Sequence, residues 1–313
     1  MKPDAGGPAG RIPPWLPFLV LGIGLAAISF GAILVRLAQG GGVASLAIAA
    51  WRLGLAALLV TPWVLARHYS QLAALNRRQL VLALAAGAAL ALHFATWISS
   101  LEYTSVASST ALVTTNPLWI GIASFVLFGE RPKGAMLLAI ALSLAGSLLI
   151  FLSDARHAAH GAAPLLGNAL ALGGSWCFAA YLMIGRRLRV GLTLAVYVWL
   201  AYGVAGLFLF AAAGASGAAL VGFDLPSWLA LVGLAVVPQM IGHTSYNWSL
   251  KHVSATFVAV VTLGEPIGSA LLAFVFFGES LARWQAIGFC LLLTGIYLAA
   301  RSSRLERAVP APM

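Results

Sequence analysis

Ten apolar runs, each about as long as a bilayer-spanning helix, constrain this chain more than any motif in it. They are Trp15–Leu37, Ser45–Ala66, Gln79–Ser99, Ser105–Phe128, Gly134–Leu152, Leu165–Gly185, Thr193–Gly214, Ser227–Ser249, Ser254–Phe277 and Leu281–Ala300. A span needs about 20 predominantly apolar residues. In hydrocarbon every backbone N–H and C=O must be satisfied internally, which leaves helices or closed barrels. These runs are too long and continuous for barrel strands, and strand signals are absent. The sequence therefore predicts an all-α integral membrane protein with ten transmembrane helices. The connections are too short to carry a soluble domain. Charged residues make up 8% of the chain, against roughly 25% in soluble domains, so a large soluble core is excluded. The first run lacks a small-residue cleavage site and reads as a retained span.

The net charge of +10 is not a nucleic-acid signature, because the basic residues sit in short clusters between the apolar runs. With both termini in the cytoplasm, 14 of the 18 Lys and Arg fall on inner segments and three (Arg36, Arg156 and Arg283) on outer ones. Arg52 lies inside the second run. That asymmetry orients the bundle by the positive-inside rule and makes 1–14 and 301–313 cytoplasmic tails.

The chain also reads as two copies of one unit. Val261–Glu279 ends in F-V-F-F-G-E and Thr114–Glu130 in F-V-L-F-G-E. An offset of 149 carries Pro266 onto Pro117, Glu279 onto Glu130 and Glu265 onto Asn116. Each copy, 15–152 and 165–300, has five spans. An odd number inserts the two copies upside down relative to each other. Inverted repeats recur in secondary transporters, with the substrate site near the midplane between the halves.

Among eight acidic residues, Glu265 alone lies deep in a span. A carboxylate there is expensive and marks function by default. Two readings stand beside each other. Glu265 binds a proton or a substrate ammonium, or it holds the helix together next to Pro266, with Asn116 in the twin position favouring structure because an amide carries no proton. Arg52 is its candidate partner or a ligand for a substrate carboxylate; a long cation can also snorkel. Gly264 and Gly268 form a G-x-x-x-G pair suited to a close helix crossing. Pro117 and Pro266 are the expected hinge points.

His93 and Trp97 share a helix face at i, i+4. Gln239, His243, Tyr246 and Asn247 share a face of the eighth run. With Trp176 at mid-span in the sixth run, they predict a central cavity of aromatic, imidazole and amide groups, suited to flat or cationic solutes. A lone membrane histidine can equally be a hydrogen-bonded packing residue. Cys177 and Cys290 lie within apolar runs without ligand spacing, so neither a metal site nor a disulfide is expected. No Walker loop, H-E-x-x-H or nucleophile elbow occurs. No cofactor is expected, and the chain does not read as an enzyme. A small-molecule substrate and the lipid bilayer are the expected partners; no oligomer is required.

On these residues the chain resembles the EamA-type transporters of the drug/metabolite transporter superfamily. The resemblance runs from about Phe18 to Arg301. It rests on N-P-L…L-F-G-E in the first half, on G-E-P-I-G-S…F-F-G-E-S-L…Q-A-I-G…L-L-T-G in the second, and on Arg52 after Trp51. Within that superfamily the chain is most similar to the aromatic amino acid exporters, on His93, Trp176 and the aromatics around them. The resemblance implies a ten-helix basket with a central cavity in the inner membrane. It also implies export of small organic metabolites, here aromatic or neutral amino acids, by alternating access, with the third, fourth, sixth, eighth and ninth runs enclosing the site. A carrier of drugs, cations or other metabolites on the same fold is the nearest alternative. A phosphate carrier would need several cations at depth. A non-transporting membrane enzyme or assembly factor would need a catalytic cluster at one interface, which the sequence lacks.

Overall fold

The structure, a computed structural model, describes residues 13–116, 118–120, 122–123, 134–156, 162–189, 191–249, 252, 261–262 and 264–307. Pro117, Glu130 and the side chain of Asn247 lie outside the described residues. Among them the regular structure is helical throughout. The helices are α1 (Leu16–Ser29), α2 (Gly31–Gly40), α3 (Ser45–Ala73), α4 (Arg77–Tyr103), α5 (Val106–Val113), α6 (Gly134–Arg156), α7 (Pro164–Leu188), α8 (Leu194–Ala215) and α9 (Leu225–Leu234). After α9 comes a π-helical segment, Ala235–His243, followed by α10 (Thr244–Ser249), α11 (Gly264–Phe277) and α12 (Arg283–Arg307).

Among the described residues, six helical stretches are long and apolar enough to cross a bilayer: Leu16–Gly40, Ser45–Ala73, Arg77–Tyr103, Pro164–Gly185, Leu194–Ala215 and Leu225–Tyr246. Leu137–Ser153, Gly264–Phe277 and Arg283–Leu298 are shorter apolar helices. The run Ser105–Phe128 is described only in part. Helix starts follow local chemistry. Asn76 and Gln79 form a reciprocal capping box on α4, and the Ser105 hydroxyl accepts from the Ser108 N–H at 3.1 Å on α5. Each cap satisfies a donor the first turn leaves open.

Packing pairs elements far apart in sequence. Helix α3 lies along α8, α4 along α7, α6 along α12, and α1 against the π segment. Counted as apolar runs, these are second on seventh, third on sixth, fifth on tenth and first on eighth. Exchanging the first five runs with the last five turns the third-on-sixth contact into the eighth-on-first contact, so the pattern maps onto itself.

Lipid supplies no hydrophobic drive between helices, so close packing of small residues carries the association. A Cβ on Gly288 would sit 2.8 Å from the Gly146 carbonyl and 3.1 Å from the Ile150 amide, so α6 and α12 touch backbone to backbone. Gly264 and Gly268 both face α1. A Cβ on the first would meet the Leu25 side chain at 2.7 Å and one on the second would run into Ser29. Ser269 adds a hydrogen bond to the Ser29 carbonyl at 3.1 Å.

One end of the bundle is tied by charge. Gly278 takes a left-handed φ of 67°, which an L side chain resists, and ends α11 so that Glu279 turns onto its neighbours. The Glu279 carboxylate accepts the first N–H of α5, from Val106, at 2.8 Å and pairs with Arg36 at 3.2 Å. Arg36 also donates to the Thr104 carbonyl at 2.7 Å. A carboxylate at a helix N-terminus is favoured by the exposed N–H groups and the helix dipole. Gln285 of α12 donates to Ser105 and Ser108 at 3.1 and 2.7 Å. Helices α2, α4, α5, α11 and α12 are thereby joined at one end.

Replacing Gly288 with Val should lower stability by about 1–3 kcal/mol, the usual cost of overpacking. The comparison is Gly203→Val in α8, where an added Cβ meets nothing within 4 Å. Thermal unfolding in detergent should show a clear loss for the first and a small change for the second.

Candidate functional site

The site is built around Arg52, in the first half of α3. Its side chain is 2% exposed, so it does not snorkel. Its neighbour Trp51 turns the other way, donating to the Leu220 carbonyl at 2.8 Å and packing edge-on against Phe210 and Trp228. Arg52 Nε donates to Gln239 Oε1 at 2.9 Å. Because arginine only donates, that contact fixes the amide orientation. The guanidinium carbon lies 4.3 Å from the Phe94 ring centroid and 5.5 Å from that of Trp97, so two π faces solvate the charge that water does not reach.

Gln239 reaches Arg52 from the π segment, next to Pro238. Proline has no N–H to donate and disturbs the regular ladder. Wider turns of this kind are rare and favour functional positions. The segment changes the register that an uninterrupted α-helix would give the eighth run. Gln239 is buried behind Arg52 and His243 lines the cavity. Tyr246 instead packs toward α1, its ring 3.3 Å from where a Cβ on Gly24 would stand.

His93 is fixed by α7. Its Nδ1 donates to the Gly174 carbonyl at 2.9 Å, which leaves Nε2 as an acceptor in the neutral ring. The helices approach closely there: a Cβ on Gly174 would lie 3.1 Å from Thr96 Oγ1 and 3.3 Å from the Trp97 Cβ, a tight fit. The His93 ring stacks on Trp97, with centroids 6.3 Å apart and planes 4° from parallel, and tilts against Phe178 at 4.7 Å.

These groups surround a cavity of about 60 Å³. Arg52, His93, Phe94, Trp97, Phe178 and His243 form one part of its wall. Among the described residues, Glu265, Asn116, Thr114, Val113, Ile28 and Gly31 also line it. A water needs about 10–15 Å³ by such a measure, so the space holds a few water-sized groups. Glu265 makes no ion pair with Arg52; the guanidinium is held by an amide and two rings instead. The first and second runs thus contribute Gly31 and Arg52 in addition to the five runs expected to enclose the site.

Trp176 lies elsewhere. It is 54% exposed and packs against Trp119 at 5.1 Å. Trp119 donates to Thr115 at 2.9 Å, and Thr115 to Ser175 at 2.9 Å. The reason is helical phase. With Gly174 against α4, residue 176 points away, and Phe178, four residues on from Gly174, returns to the inner face. Phe94, Phe178 and the π segment at Pro238 are the features that sequence reasoning missed. The spacing Gly174-x-x-x-Phe178 and the proline inside an apolar run were the available signals. Pro266 is buried beside Glu265, while Asn247 is placed in α10 with its side chain undescribed. Cys177 and Cys290 are free thiols, and among the described residues no group of three His, Cys, Asp or Glu converges to hold a metal.

A cavity of this makeup can hold a small polar solute by charge, stacking and hydrogen bonds. Gln239→Leu should leave Arg52 Nε without an acceptor and cost about 1.5–3 kcal/mol, the range for a hydrogen bond to a charged group. Thermal unfolding in detergent reads it.

Comparison with known proteins places this geometry. The model of the EamA-like transporter family matches residues 15–152 and again 165–301. A threonine/homoserine exporter, RhtA of Salmonella typhimurium, is 28% identical over 306 residues, covering 92% of both chains. An uncharacterized transporter of Archaeoglobus fulgidus is 28% identical over 215 residues, 67% of this chain and 73% of the relative. A probable amino-acid metabolite efflux pump of Escherichia coli is 28% identical over 192 residues, 58% of this chain and 63% of the relative. A crystal structure at 22% identity superposes with a TM-score of 0.62 over 93% of this chain and 99% of the other, a likeness of fold.

Proposed function

The chain belongs to the EamA-like transporter family, and on that premise we propose that it exports small neutral or aromatic amino acids across the inner membrane by alternating access. The observation that carries this reading is the cavity itself. It holds a buried guanidinium and a carboxylate within one lining, unpaired with each other, among imidazole and aromatic rings. Charged groups are costly inside a bundle in lipid and mark substrate or ion pathways. The names of the relatives in Salmonella typhimurium and Escherichia coli support an amino acid as cargo. A phosphate carrier fits less well, since Arg52 is the sole Lys or Arg among the described residues lining the cavity.

In this reading the ten runs form two inverted five-helix repeats with cytoplasmic termini. The packing pattern that maps onto itself when the halves are exchanged supports it. The end tied by Arg36, Glu279 and the α5 N-terminus is a closed gate, and alternating access requires that tie to break. Glu265 remains available for substrate or proton, and Pro266, with Gly264 and Gly268 against α1, forms the spine about which the ninth run moves.

Reconstituted in liposomes, the protein should move labelled neutral or aromatic amino acids. Flux of an unrelated metabolite with none of any amino acid would sink the substrate assignment. His93→Ala should lower flux at least tenfold, because it removes a cavity wall, whereas Trp176→Ala should change it little. Glu279→Gln should make a cysteine placed at Asn116 more accessible to a membrane-impermeant thiol reagent from the gated side. Unchanged labelling would remove the gate.

A further inference from the structure

The cavity lining carries two donors that no described residue satisfies. Arg52 Nη1 and Trp97 Nε1 are both buried and have no hydrogen-bond partner. Orphaned buried donors are rare, and each needs an explanation. Both residues line the same cavity, with the Arg52 guanidinium carbon 5.5 Å from the Trp97 ring centroid. A Cβ built on Gly31 would lie 3.9 Å from Arg52 Nη1 and 3.5 Å from Trp97 Cη2, on the benzo edge of the indole, and all three residues line the cavity. Both groups are donors only, so each lacks an acceptor, and a single group with two oxygens can supply both. A planar carboxylate meets that need, and a guanidinium beside an indole N–H is well suited to hold one. Glu265 faces the same cavity and makes no salt bridge with a described residue. It complements a cation as Arg52 complements an anion.

We propose that the cavity is a zwitterion site: Arg52 Nη1 and Trp97 Nε1 take the α-carboxylate of an amino acid, and Glu265 takes its α-ammonium. This rests on the reading of the protein as an amino acid exporter and adds the head-group specificity. The site recognises what all α-amino acids share. The side chain is left to the rings of Phe94, Phe178 and His93, which accept many shapes. The cavity's size agrees, because room for a few water-sized groups is room for a head group. Discrimination against one-ended analogues follows from the same orphans. A solute lacking the carboxylate leaves two buried donors unpaired, and sites built to hydrogen-bond a substrate group reject analogues that lack it far more strongly than they reject a change in apolar size.

The test is counterflow of labelled threonine in proteoliposomes, with unlabelled competitors. The unlabelled zwitterion should compete fully. Threonine amide, which lacks the carboxylate, and 2,3-dihydroxybutyrate, which lacks the ammonium, should each compete at least about 30-fold more weakly, which is about 2 kcal/mol or more. Arg52→Lys, which keeps charge and loses the fork, should raise KM at least about tenfold. Gly31→Ala provides a second variant, since its methyl makes ordinary contacts of 3.5–3.9 Å and should leave the melting temperature unchanged while raising KM. Threonine flux with equal competition by the amide, or an unchanged KM in Gly31→Ala and in a folded Arg52→Lys, overturns the zwitterion site while leaving amino acid export standing. Absence of flux for every amino acid overturns both.

Discussion

A guanidinium held away from water inside a helical bundle must be solvated by the bundle. Arg52 meets that demand with an amide oxygen from the π segment and two aromatic faces from α4. An uncompensated buried charge costs several kcal/mol, so each of these groups is held to its place. Gln239 requires the wider turn around Pro238. Phe94 and Trp97 require α4 to lie close to α3 and to α7, and the latter approach passes through Gly174. The polar centre therefore positions helices from both halves of the chain, in an environment where apolar surface alone does not draw helices together.

The arrangement leaves part of the charge unused. One nitrogen of Arg52 and the indole nitrogen of Trp97 have no acceptor among the described residues, and Glu265 lines the same cavity without a close ion pair to any of them. A structural ion pair would have joined Arg52 to Glu265 and closed the space between them. Separation of the two charges keeps a polar cavity in the bundle. At one end, Arg36 and Glu279 do pair, across the N-terminus of α5. That pair is partly exposed, and exposed pairs are weak. A weak tie is consistent with the proposed gate, and a buried couple without a close ion pair with the proposed binding site.

Much of this was legible in the residues. Apolar run length gave helices, because lipid permits few alternatives. A charged or polar residue inside such a run stood out, so His93, Trp97 and His243 were readable as cavity candidates and Arg52 and Glu265, separately, as coupling or gating candidates; the structure puts all five in one lining. The repeated F-G-E ending marked Glu279, and the structure gives the reason for its glycine: the left-handed turn at Gly278 delivers the carboxylate to Arg36. Trp176 was assigned to the cavity by type and depth and Tyr246 by the face it would share with Gln239 and His243 in a regular helix, and the structure turns both elsewhere. A helix turns 100° per residue, so depth in the membrane does not say which way a ring faces. A π segment then shifts everything after it, as it does for Tyr246.

What the sequence by itself determined is the chemistry available at mid-membrane and the helical form of the chain, since both follow from the cost of polar groups in hydrocarbon. Only the tertiary structure decided the pairing. It gave Gln239 rather than Glu265 to Arg52, Phe178 rather than Trp176 to the cavity, and Glu279 to Arg36. Those choices depend on helix phase and on how closely glycines let backbones approach, and neither quantity is written in the order of apolar and polar residues.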